Sequence, residues 1–394
     1  MRETVVVSAV RTPFGTYGGS LKDVPAVELG AIAIREAVRR AGIDGKLIDN
    51  AFMGMVVQAG QGQVPSRQAT LRAGLPAEVP SDTINKVCAS SLRAVNLGDS
   101  LIRAGDAEIV LAGGMETMSR CPFLLESARW GYRMGNGVLV DAMVRDGLWC
   151  PNKDCHMGVL GSGVAKEYGI GREEQDKWAL RSHQMAVAAI DGGRLKDETT
   201  PVEIPQRKGA PVVFAVDEHP RRDTTLEKLA ALKPAFEPDG TVTAGNAPGL
   251  NDGGSAIIVM ERARAQALGL KPLATIVSQA MVSVDPWYMN TVPALAGDKA
   301  IKKAGLKLDD IELIEVNEAF AAVALTSIKI GGWNPDKVNV NGGAVAFGHP
   351  IGASGARILM TLIYELRRRG GGYGLATICS GMAQGEATVV RVDA

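Results

Sequence analysis

The most constraining feature of this sequence is that its two ends repeat each other. Three segments recur in the same order: residues 37–43 as 300–306, residues 89–93 as 353–357, and residues 109–114 as 375–381. The first two recurrences have offsets of 263 residues (37 to 300) and 264 residues (89 to 353). Ordered matches at a nearly constant offset indicate a duplicated structural unit. We therefore expect two copies of one unit packed about a pseudo-twofold axis, with a shared site where equivalent helix starts meet.

Each copy has the pattern of an α/β unit. Apolar runs typical of strands cover residues 4–10, 48–57 and 107–114, and a helical period over residues 27–41 ends at Gly42. Strands that alternate with helices favour a mostly parallel sheet with helices on both faces. The predicted fold class is therefore α/β.

A different kind of sequence separates the two copies. Residues 119–249 are rich in glycine, methionine, arginine and turns, and they contain one clear helical segment, residues 172–190, with Glu173 and Glu174 in its first turn. A long insertion in an α/β unit is usually functional, as a lid or a binding loop. An oligomerisation arm is the alternative interpretation, and both can hold.

Charge and cysteine content exclude several classes of protein. Lys plus Arg and Asp plus Glu both number 43, so no global field attracts nucleic acid or an anionic membrane, although a local basic cluster can bind a small phosphorylated ligand. Five irregularly spaced cysteines do not form a disulfide framework and favour a reducing compartment. The chain opens in a strand-like segment without a signal-peptide pattern, and no apolar run is long enough to cross a bilayer. We expect a soluble cytoplasmic protein.

Cys88 lies in the stretch that draws most attention. Small residues and an apolar run at helical spacing follow it and lead to Gly105, which predicts a helix that begins at or beside the cysteine. Backbone N–H groups at a helix start favour a thiolate and would prepare Cys88 as a nucleophile. A small buried core cysteine is the alternative.

Two further residues are candidates for acid–base chemistry. His349 lies in a glycine-dense turn, residues 341–357, where an imidazole is suited to act as the base for a thiol. Cys379 follows an apolar strand, and strand C-terminal ends are where open α/β sheets place ligands. The alternatives are a solvent-exposed turn histidine and a buried apolar thiol.

Other polar and small-residue segments are less specific. Asn317 and Glu318 interrupt an apolar run and need partners or a function, although Asn317 could simply cap a helix. Residues 242–254 form a small-residue loop that suits an extended ligand and matches no phosphate-binding motif. Cys150 and Cys155 lie beside His156, which suggests a metal site. A structural zinc site needs four ligands, and the sequence has no second Cys/His pair at suitable spacing, so we expect no metal.

Taken together, these motifs resemble the thiolase family, in its acetyl-CoA acetyltransferase branch. The resemblance covers essentially the whole chain and rests on residues 11–15, 84–94, 113–119, 156–158, 244–246, 317–320, 341–357 and 379–381. It implies a five-layered αβαβα fold of two similar halves about a pseudo-twofold axis, with an inserted loop domain. It further implies residues 1–118 with 250–270 as the N-terminal half, 119–249 as the insertion for coenzyme A binding and oligomerisation, and 271–394 as the C-terminal half.

The resemblance also implies a role for each candidate. Cys88 would be the nucleophile that takes the acyl group, and His349 the base that activates it. His349 and a water held by Asn317 would form one oxyanion hole, and the N–H groups of Cys88 and Gly381 a second one. Cys379 would be the acid/base that moves the α-carbon proton of the substrate.

The substrate site is implied in the same way. Arg221, with Arg222 as an adjacent candidate, would lie near the nucleotide phosphates of coenzyme A. The pantetheine and acyl groups would contact residues of the insertion and the C-terminal half, namely Leu148, His156, Met157, Ala244, Gly245, Pro248, Met289 and Phe320. The partners would be acetyl-CoA, acetoacetyl-CoA and coenzyme A, without nucleic acid, membrane or a separate cofactor, in a homotetramer.

The expected reaction is a ping-pong Claisen condensation of two acetyl-CoA molecules, or its thiolytic reverse. A 3-ketoacyl-CoA thiolase of longer chain length is the nearest rival, a ketoacyl synthase fits the motifs less well, and a non-catalytic acyl-CoA-binding protein is the rival from another class. The chain departs from the family pattern at positions that bear on chain length and coenzyme affinity: Ser91, Pro248, Trp287, Tyr288, Met382 and Ala383.

Overall fold

The computed structural model describes residues 2–394, and its elements follow the duplication. Up to residue 117 they are β1 (Thr4–Arg11), β2 (Gly15–Thr16), α1 (Ala26–Ala41), β3 (Asn50–Gly54), α2 (Pro65–Arg72), β4 (Ser81–Ile84), α3 (Ser90–Ala104) and β5 (Ile109–Thr117). The predicted first strand and first helix are confirmed, and α1 ends at Gly42 in the left-handed conformation, with φ of +66°. Glycine accepts this conformation without steric cost.

The insertion consists of short strands and three helices. They are β6 (Phe123–Leu124), β7 (Val140–Asp141), β8 (Trp149–Cys150), β9 (Cys155–His156), α4 (Met157–Glu167), α5 (Arg172–Asp191), β10 (Val202–Ile204), β11 (Val212–Phe214) and α6 (Leu226–Ala230). The helix predicted at residues 172–190 is α5, and the N–H of Gly171 donates to Glu174 in its first turn at 2.9 Å.

The remaining elements complete the two halves. They are β12 (Asn251–Glu261), α7 (Arg262–Ala267), β13 (Ala274–Ser283), α8 (Val292–Lys303), β14 (Ile311–Val316), α9 (Ala321–Gly331), α10 (Ala344–Phe347), α11 (Ser354–Arg368), β15 (Gly372–Ser380) and β16 (Gln384–Val392). No helix within residues 2–394 is long and apolar enough to span a membrane.

The strand order is symmetric about the pairing of β1 with β13, except that β4 adds one strand at one edge. The path runs β14-β15-β16-β13-β1-β12-β5-β3-β4, and β1 meets β13 in an antiparallel pairing of three residue pairs. Outward from that pairing, each half has two antiparallel neighbours followed by a parallel one. This order confirms two similar halves related by a pseudo-twofold axis.

The expectation of a mostly parallel sheet is wrong. Within the described residues, parallel pairing is limited to β3 with β4, β3 with β5, and β14 with β15. The reason is that β12 and β16 enter each half between other strands and run antiparallel to both neighbours. Neither strand belongs to the strand–helix alternation on which the prediction rested.

The side chains of alternating strand residues face two different cores, which generates the layers. In β12, Ile257 and Val259 join a central apolar cluster with α3 and α11, whereas Ile258 and Met260 join an outer cluster with α1 and α2. On the other side, β14, β15 and β16 pack against α8 and α9 in a third cluster. Successive strand residues point to opposite faces, so the strands of each half are covered by helices on both sides. The result is the five-layered αβαβα fold.

The insertion is tied to the C-terminal half by a buried carboxylate. Glu318 accepts hydrogen bonds from Trp178 Nε1 at 2.9 Å and Ser182 Oγ at 2.8 Å, both on α5. It also accepts from Asn339 Nδ2 at 2.9 Å and from the N–H of Val345 at 3.0 Å. Four neutral donors satisfy this anion, and they hold α5 against the segment that carries Asn317.

In the central layer, the starts of α3 and α11 touch. Gly355 lies so close to α3 that a Cβ atom there would come within 2.5 Å of the Leu92 nitrogen. Ser91 Oγ accepts a hydrogen bond from the N–H of Ala356 at 2.9 Å, in the first turn of α11. Ser91, a departure from the family pattern, therefore caps the helix of the opposite half.

We expect Ser91→Ala to lower the free energy of unfolding by about 1 kcal/mol, because the buried Ala356 N–H loses its acceptor. The change is measured from urea unfolding midpoints at fixed protein concentration. Ser100→Ala, at an exposed position of the same helix, is the matched control and should stay within about 0.5 kcal/mol of the wild type. Equal midpoints for the two variants would contradict a capping role for Ser91.

Candidate active site

Both halves and the insertion contribute to one mostly apolar cavity of about 480 Å3. Cys88, His349 and Gly381 lie in its wall. Around them the lining includes most of the residues predicted for substrate binding, namely Leu148, His156, Met157, Arg221, Ala244, Pro248, Met289 and Phe320. The structure therefore brings the predicted nucleophile and base to a common space.

Cys88 lies two residues before α3, in a tight turn. The preceding residue, Val87, has φ of +45°, a left-handed conformation that non-glycine residues adopt rarely. Burial raises the pKa of the Cys88 thiol to about 12, although the N–H groups of Gly381 and of Cys88 itself act to lower it. This differs from the sequence-based expectation of a thiolate, because desolvation outweighs the helix start. At neutral pH the resting Cys88 is a thiol and needs a base.

His349 is held in one orientation by its neighbours. The backbone N–H of His349 donates to Asn251 Oδ1 at 2.9 Å. The preceding residue, Gly348, has φ of +91° and passes so close to Asn251 that no side chain would fit there. On the ring, Nδ1 lies 2.6 Å from Ser354 Oγ, whose hydroxyl donates to the Pro350 carbonyl at 2.9 Å.

These contacts favour one tautomer of His349. Since the Ser354 hydroxyl gives its proton to Pro350, it accepts from Nδ1–H, which leaves a lone pair on Nε2. Asn317 Nδ2 lies 3.4 Å from that nitrogen. Burial, with the nearby Arg357 charge, lowers the pKa of His349 to about 3, so the ring is neutral at pH 7. A neutral imidazole whose Nε2 lone pair has a long contact with Asn317 Nδ2 and faces the cavity of Cys88 is suited to take a proton from a thiol.

Cys379 and Asn317 lie behind the cavity wall. Cys379 is fully buried near the end of β15, and burial together with its neighbour Cys88 raises its pKa. Asn317 does not cap a helix, since α9 begins at Ala321 with Phe320 at its N-cap. Asn317 Oδ1 is buried and has no hydrogen-bond partner within residues 2–394. An unpartnered acceptor beside His349 is a place for a polar ligand atom or a water.

Two predicted coenzyme-binding residues lie elsewhere. Arg222 is outside the cavity, and its guanidinium donates to the two carboxylate oxygens of Asp191 at 2.8 and 2.6 Å. Gly245 lies in the wall of an adjoining cavity that Arg221 and Ala244 also line.

Several residues of the site were missed from the sequence. Phe236 stacks on His156, with ring centroids 4.1 Å apart and an angle of 11° between ring planes, and meets Phe320 edge-on at 6.1 Å. Nothing in the local pattern marks Phe236. Ser354, by contrast, lies five residues after His349 in the same motif, within reach of the ring.

A third missed residue is Glu116, a fully buried carboxylate near Cys88. Burial raises its pKa to about 7, against the opposite effect of the backbone N–H groups that donate to it. The repeat contains a signal for this residue, because the offset of 263 residues in the first recurrence places Glu116 opposite Cys379, although the third recurrence, 109–114 as 375–381, begins at an offset of 266.

Comparisons with known proteins agree with this geometry. The thiolase N-terminal domain family matches residues 4–263, and the thiolase C-terminal domain family matches residues 270–392. The chain belongs to the thiolase family.

Relatives within the thiolase family are similar over their full length. The acetyl-CoA acetyltransferase of Pseudomonas aeruginosa is 51% identical over 393 residues, with 100% of both chains covered. That of Cupriavidus necator is 52% identical, with 99% of this chain and 100% of the relative covered. The crystal structure of the Bacillus anthracis acetyl-CoA acetyltransferase superposes with a TM-score of 0.97 at 43% identity, covering 100% of this chain and 99% of the other.

The electrostatics of this thiolase site predict how Cys88 reacts with an alkylating agent. Because its pKa is raised, we expect the rate of Cys88 alkylation by iodoacetamide to increase about tenfold per pH unit between about pH 7 and pH 9, as the thiolate fraction grows. The rate is measured by mass spectrometry of the Cys88 peptide, with the urea-unfolded protein as control. A rate independent of pH in this range would show a preformed thiolate instead.

Proposed function

We propose that this thiolase is an acetyl-CoA C-acetyltransferase that joins two acetyl-CoA molecules to acetoacetyl-CoA and coenzyme A, or catalyses the reverse thiolysis. The observation that carries the proposal is that Cys88 and a neutral His349 lie in the wall of one apolar cavity, with a second thiol, Cys379, buried behind that wall close to Cys88. The full-length relatives are acetyl-CoA acetyltransferases, which supports the choice of substrate.

In the first half-reaction, His349 Nε2 takes the proton of Cys88 as its sulfur attacks the thioester carbonyl of acetyl-CoA. The carbonyl oxygen becomes negative, and the C–S bond to coenzyme A then breaks. His349 returns the proton to the departing thiolate, so acetyl-Cys88 and free coenzyme A are formed. A base and an oxyanion site are both needed because neither the resting thiol nor the thioester is reactive enough alone.

In the second half-reaction, Cys379 gives its proton to His349 and, as a thiolate, removes a proton from the methyl carbon of a second acetyl-CoA. The enolate oxygen lies at the imidazolium and at a water on the unpartnered Asn317 Oδ1. The enolate carbon attacks acetyl-Cys88, whose carbonyl oxygen meets the N–H groups of Cys88 and Gly381. Collapse releases acetoacetyl-CoA, and His349 protonates the Cys88 thiolate. The reaction uses no cofactor beyond the coenzyme A thioester.

We infer a short acyl group from the bulk of the residues that line the cavity. The side chains of Met157, Met289 and Phe320 take up space in its wall, and Phe236 packs against Phe320. Trp287 does not line the cavity, since its Nε1 donates to Glu167 at 2.7 Å and its ring packs on Gly163 of α4. This departure therefore adds no space for a longer chain.

We further propose a homotetramer in the cytoplasm. The insertion exposes bulky apolar side chains, among them Trp130 (89% exposed), Met134 (97%) and Val138 (75%). Contact with another copy of the chain would bury this apolar surface. The five cysteines of the chain are all free, which suits a reducing compartment.

The proposed function predicts that the purified protein cleaves acetoacetyl-CoA with coenzyme A and that Cys88→Ser loses at least about 1000-fold in kcat, because the hydroxyl is a far weaker nucleophile. Acetyl-CoA alone should leave an acetyl group on Cys88, detected by mass spectrometry. Faster cleavage of longer 3-ketoacyl-CoA esters would favour the longer-chain rival. Absence of the adduct and of turnover would favour a non-catalytic acyl-CoA-binding protein.

The two neighbouring arginines offer a test of the coenzyme site. Arg221→Ala removes a cation that lines the cavity, and we expect the KM for coenzyme A to rise about tenfold, the effect of losing one charged hydrogen bond. Arg222→Ala removes a cation already paired with Asp191 outside the cavity, and we expect a change below about twofold. Equal effects of the two substitutions would contradict this assignment.

A further inference from the structure

The pseudo-twofold axis relates the active site to a second place in the molecule. The offset of 264 residues maps Cys88 onto Gly352, and the offset of 263 maps Glu116 onto Cys379. Sheet register supports this match, because Gly54 pairs with Gly114 in the first half where Val316 pairs with Thr377 in the second. The strands β5 and β15 are also both nine residues long.

At this second place the protein holds a carboxylate of its own. Glu116 Oε2 accepts hydrogen bonds from the N–H of Gly352 at 3.0 Å and from the N–H of Val56 at 3.0 Å, and Oε1 accepts from the N–H of Val57 at 3.3 Å. The carboxylate is fully buried, and no cation of residues 2–394 forms an ion pair with it. In its ionised form, a buried carboxylate bound by backbone N–H groups has the chemistry of an anion in an oxyanion hole.

The segments that Glu116 connects flank the nucleophile. Val56, Val57 and Ile351 belong to one apolar cluster, against which Val87 and Cys88 pack. Ile351 also lines the cavity, and it lies two residues from His349. Without the carboxylate, three buried N–H groups would lose their acceptor at the turn that carries the base and at the loop beneath the nucleophile.

We propose that Glu116 is a positioning residue, a buried carboxylate that binds the N–H of Gly352, the counterpart of the Cys88 N–H in the other half, together with the N–H groups of Val56 and Val57, and thereby sets the distance between His349 and Cys88. The proposal rests on the thiolase reaction above for its assay. Glu116 does not line the cavity, so its removal should lower kcat and leave KM nearly unchanged.

Glu116→Ala tests this proposal by chemical rescue. The substitution removes the atoms of one acetate ion, so a void with three N–H donors remains. We expect kcat for thiolysis of acetoacetyl-CoA to fall roughly 100-fold, as for a misplacement of about 1 Å, with KM changed less than about threefold. Sodium acetate should restore kcat at least about tenfold, whereas sodium chloride at equal ionic strength and neutral acetamide should not.

Glu116→Gln, which keeps the shape, covers the case in which the alanine variant does not fold. In this variant the amide NH2 would face a backbone N–H donor that the carboxylate oxygen accepts from in the wild type. We therefore expect a loss of kcat of about tenfold with unchanged KM. Glu365→Ala removes another buried carboxylate, at the far end of α11, where it accepts from Asn341 and Arg369. As the matched control, it should retain wild-type kcat and gain nothing from acetate.

Failure of the Glu116 proposal and failure of the proposed function give different results. Wild-type kcat in Glu116→Gln, or equal rescue of Glu116→Ala by acetate and acetamide, would overturn the proposal. An inactive wild type would refute the proposed function instead. In that case the thermal midpoint of Glu116→Ala decides, since acetate should raise it and acetamide should not if the void is an anion site.

Discussion

The contact between the starts of α3 and α11 is the constraint on which the rest of the structure depends. It requires a glycine at Gly355, because any side chain there would collide with Leu92. A Cβ atom at Gly114 would likewise strike the carbonyl of Gly352. Such close backbone approach at the pseudo-twofold axis lets a loop from each half, one with Cys88 and one with His349, reach the same cavity. A duplicated fold becomes a single site because these small residues let the halves meet.

Burial at this contact decides the charge state of the site. A helix start stabilises an anion by at most about 2 kcal/mol, equivalent to roughly 1.5 pKa units. Loss of hydration shifts the pKa of a thiol in the opposite direction, by up to about 3–5 units when burial is complete, and for the partly buried Cys88 it is the largest cause of the raised pKa. The second effect is larger, so Cys88 stays a thiol, and by the same physics His349 stays uncharged. The site therefore keeps a neutral donor and a neutral acceptor, and charge appears only as the reaction proceeds.

Sequence patterns predicted the features that depend on the internal repeat and on local helix signals. The repeat predicted two halves and a shared site, and turn glycines such as Gly42 and Gly105 ended their helices as expected. The direction of most strands was not foreseen, because β12 and β16 follow no strand–helix alternation. Phe236 reaches the site from a loop of the insertion, and only tertiary packing brings it to His156.

The departures from the family pattern after Gly381 become intelligible in the same terms. Met382 and Ala383 have φ of +64° and +49°, in the region that glycine occupies without strain. Val87, which contacts Gly381, has φ of +45°. Each such residue costs about 1–3 kcal/mol, which the surrounding packing must offset.

The strained residues lie on both sides of the two N–H groups of the proposed oxyanion hole. Val87 precedes Cys88, and its side chain lies within 3.2 Å of where a Cβ of Gly381 would be. A larger residue at Gly381 would push against Val87 and move both donors at once. The turn at Val87 and the turn after Gly381 are both strained, and they are in contact, so neither can relax without displacing the other. This contact fixes the N–H groups of Cys88 and Gly381 relative to each other.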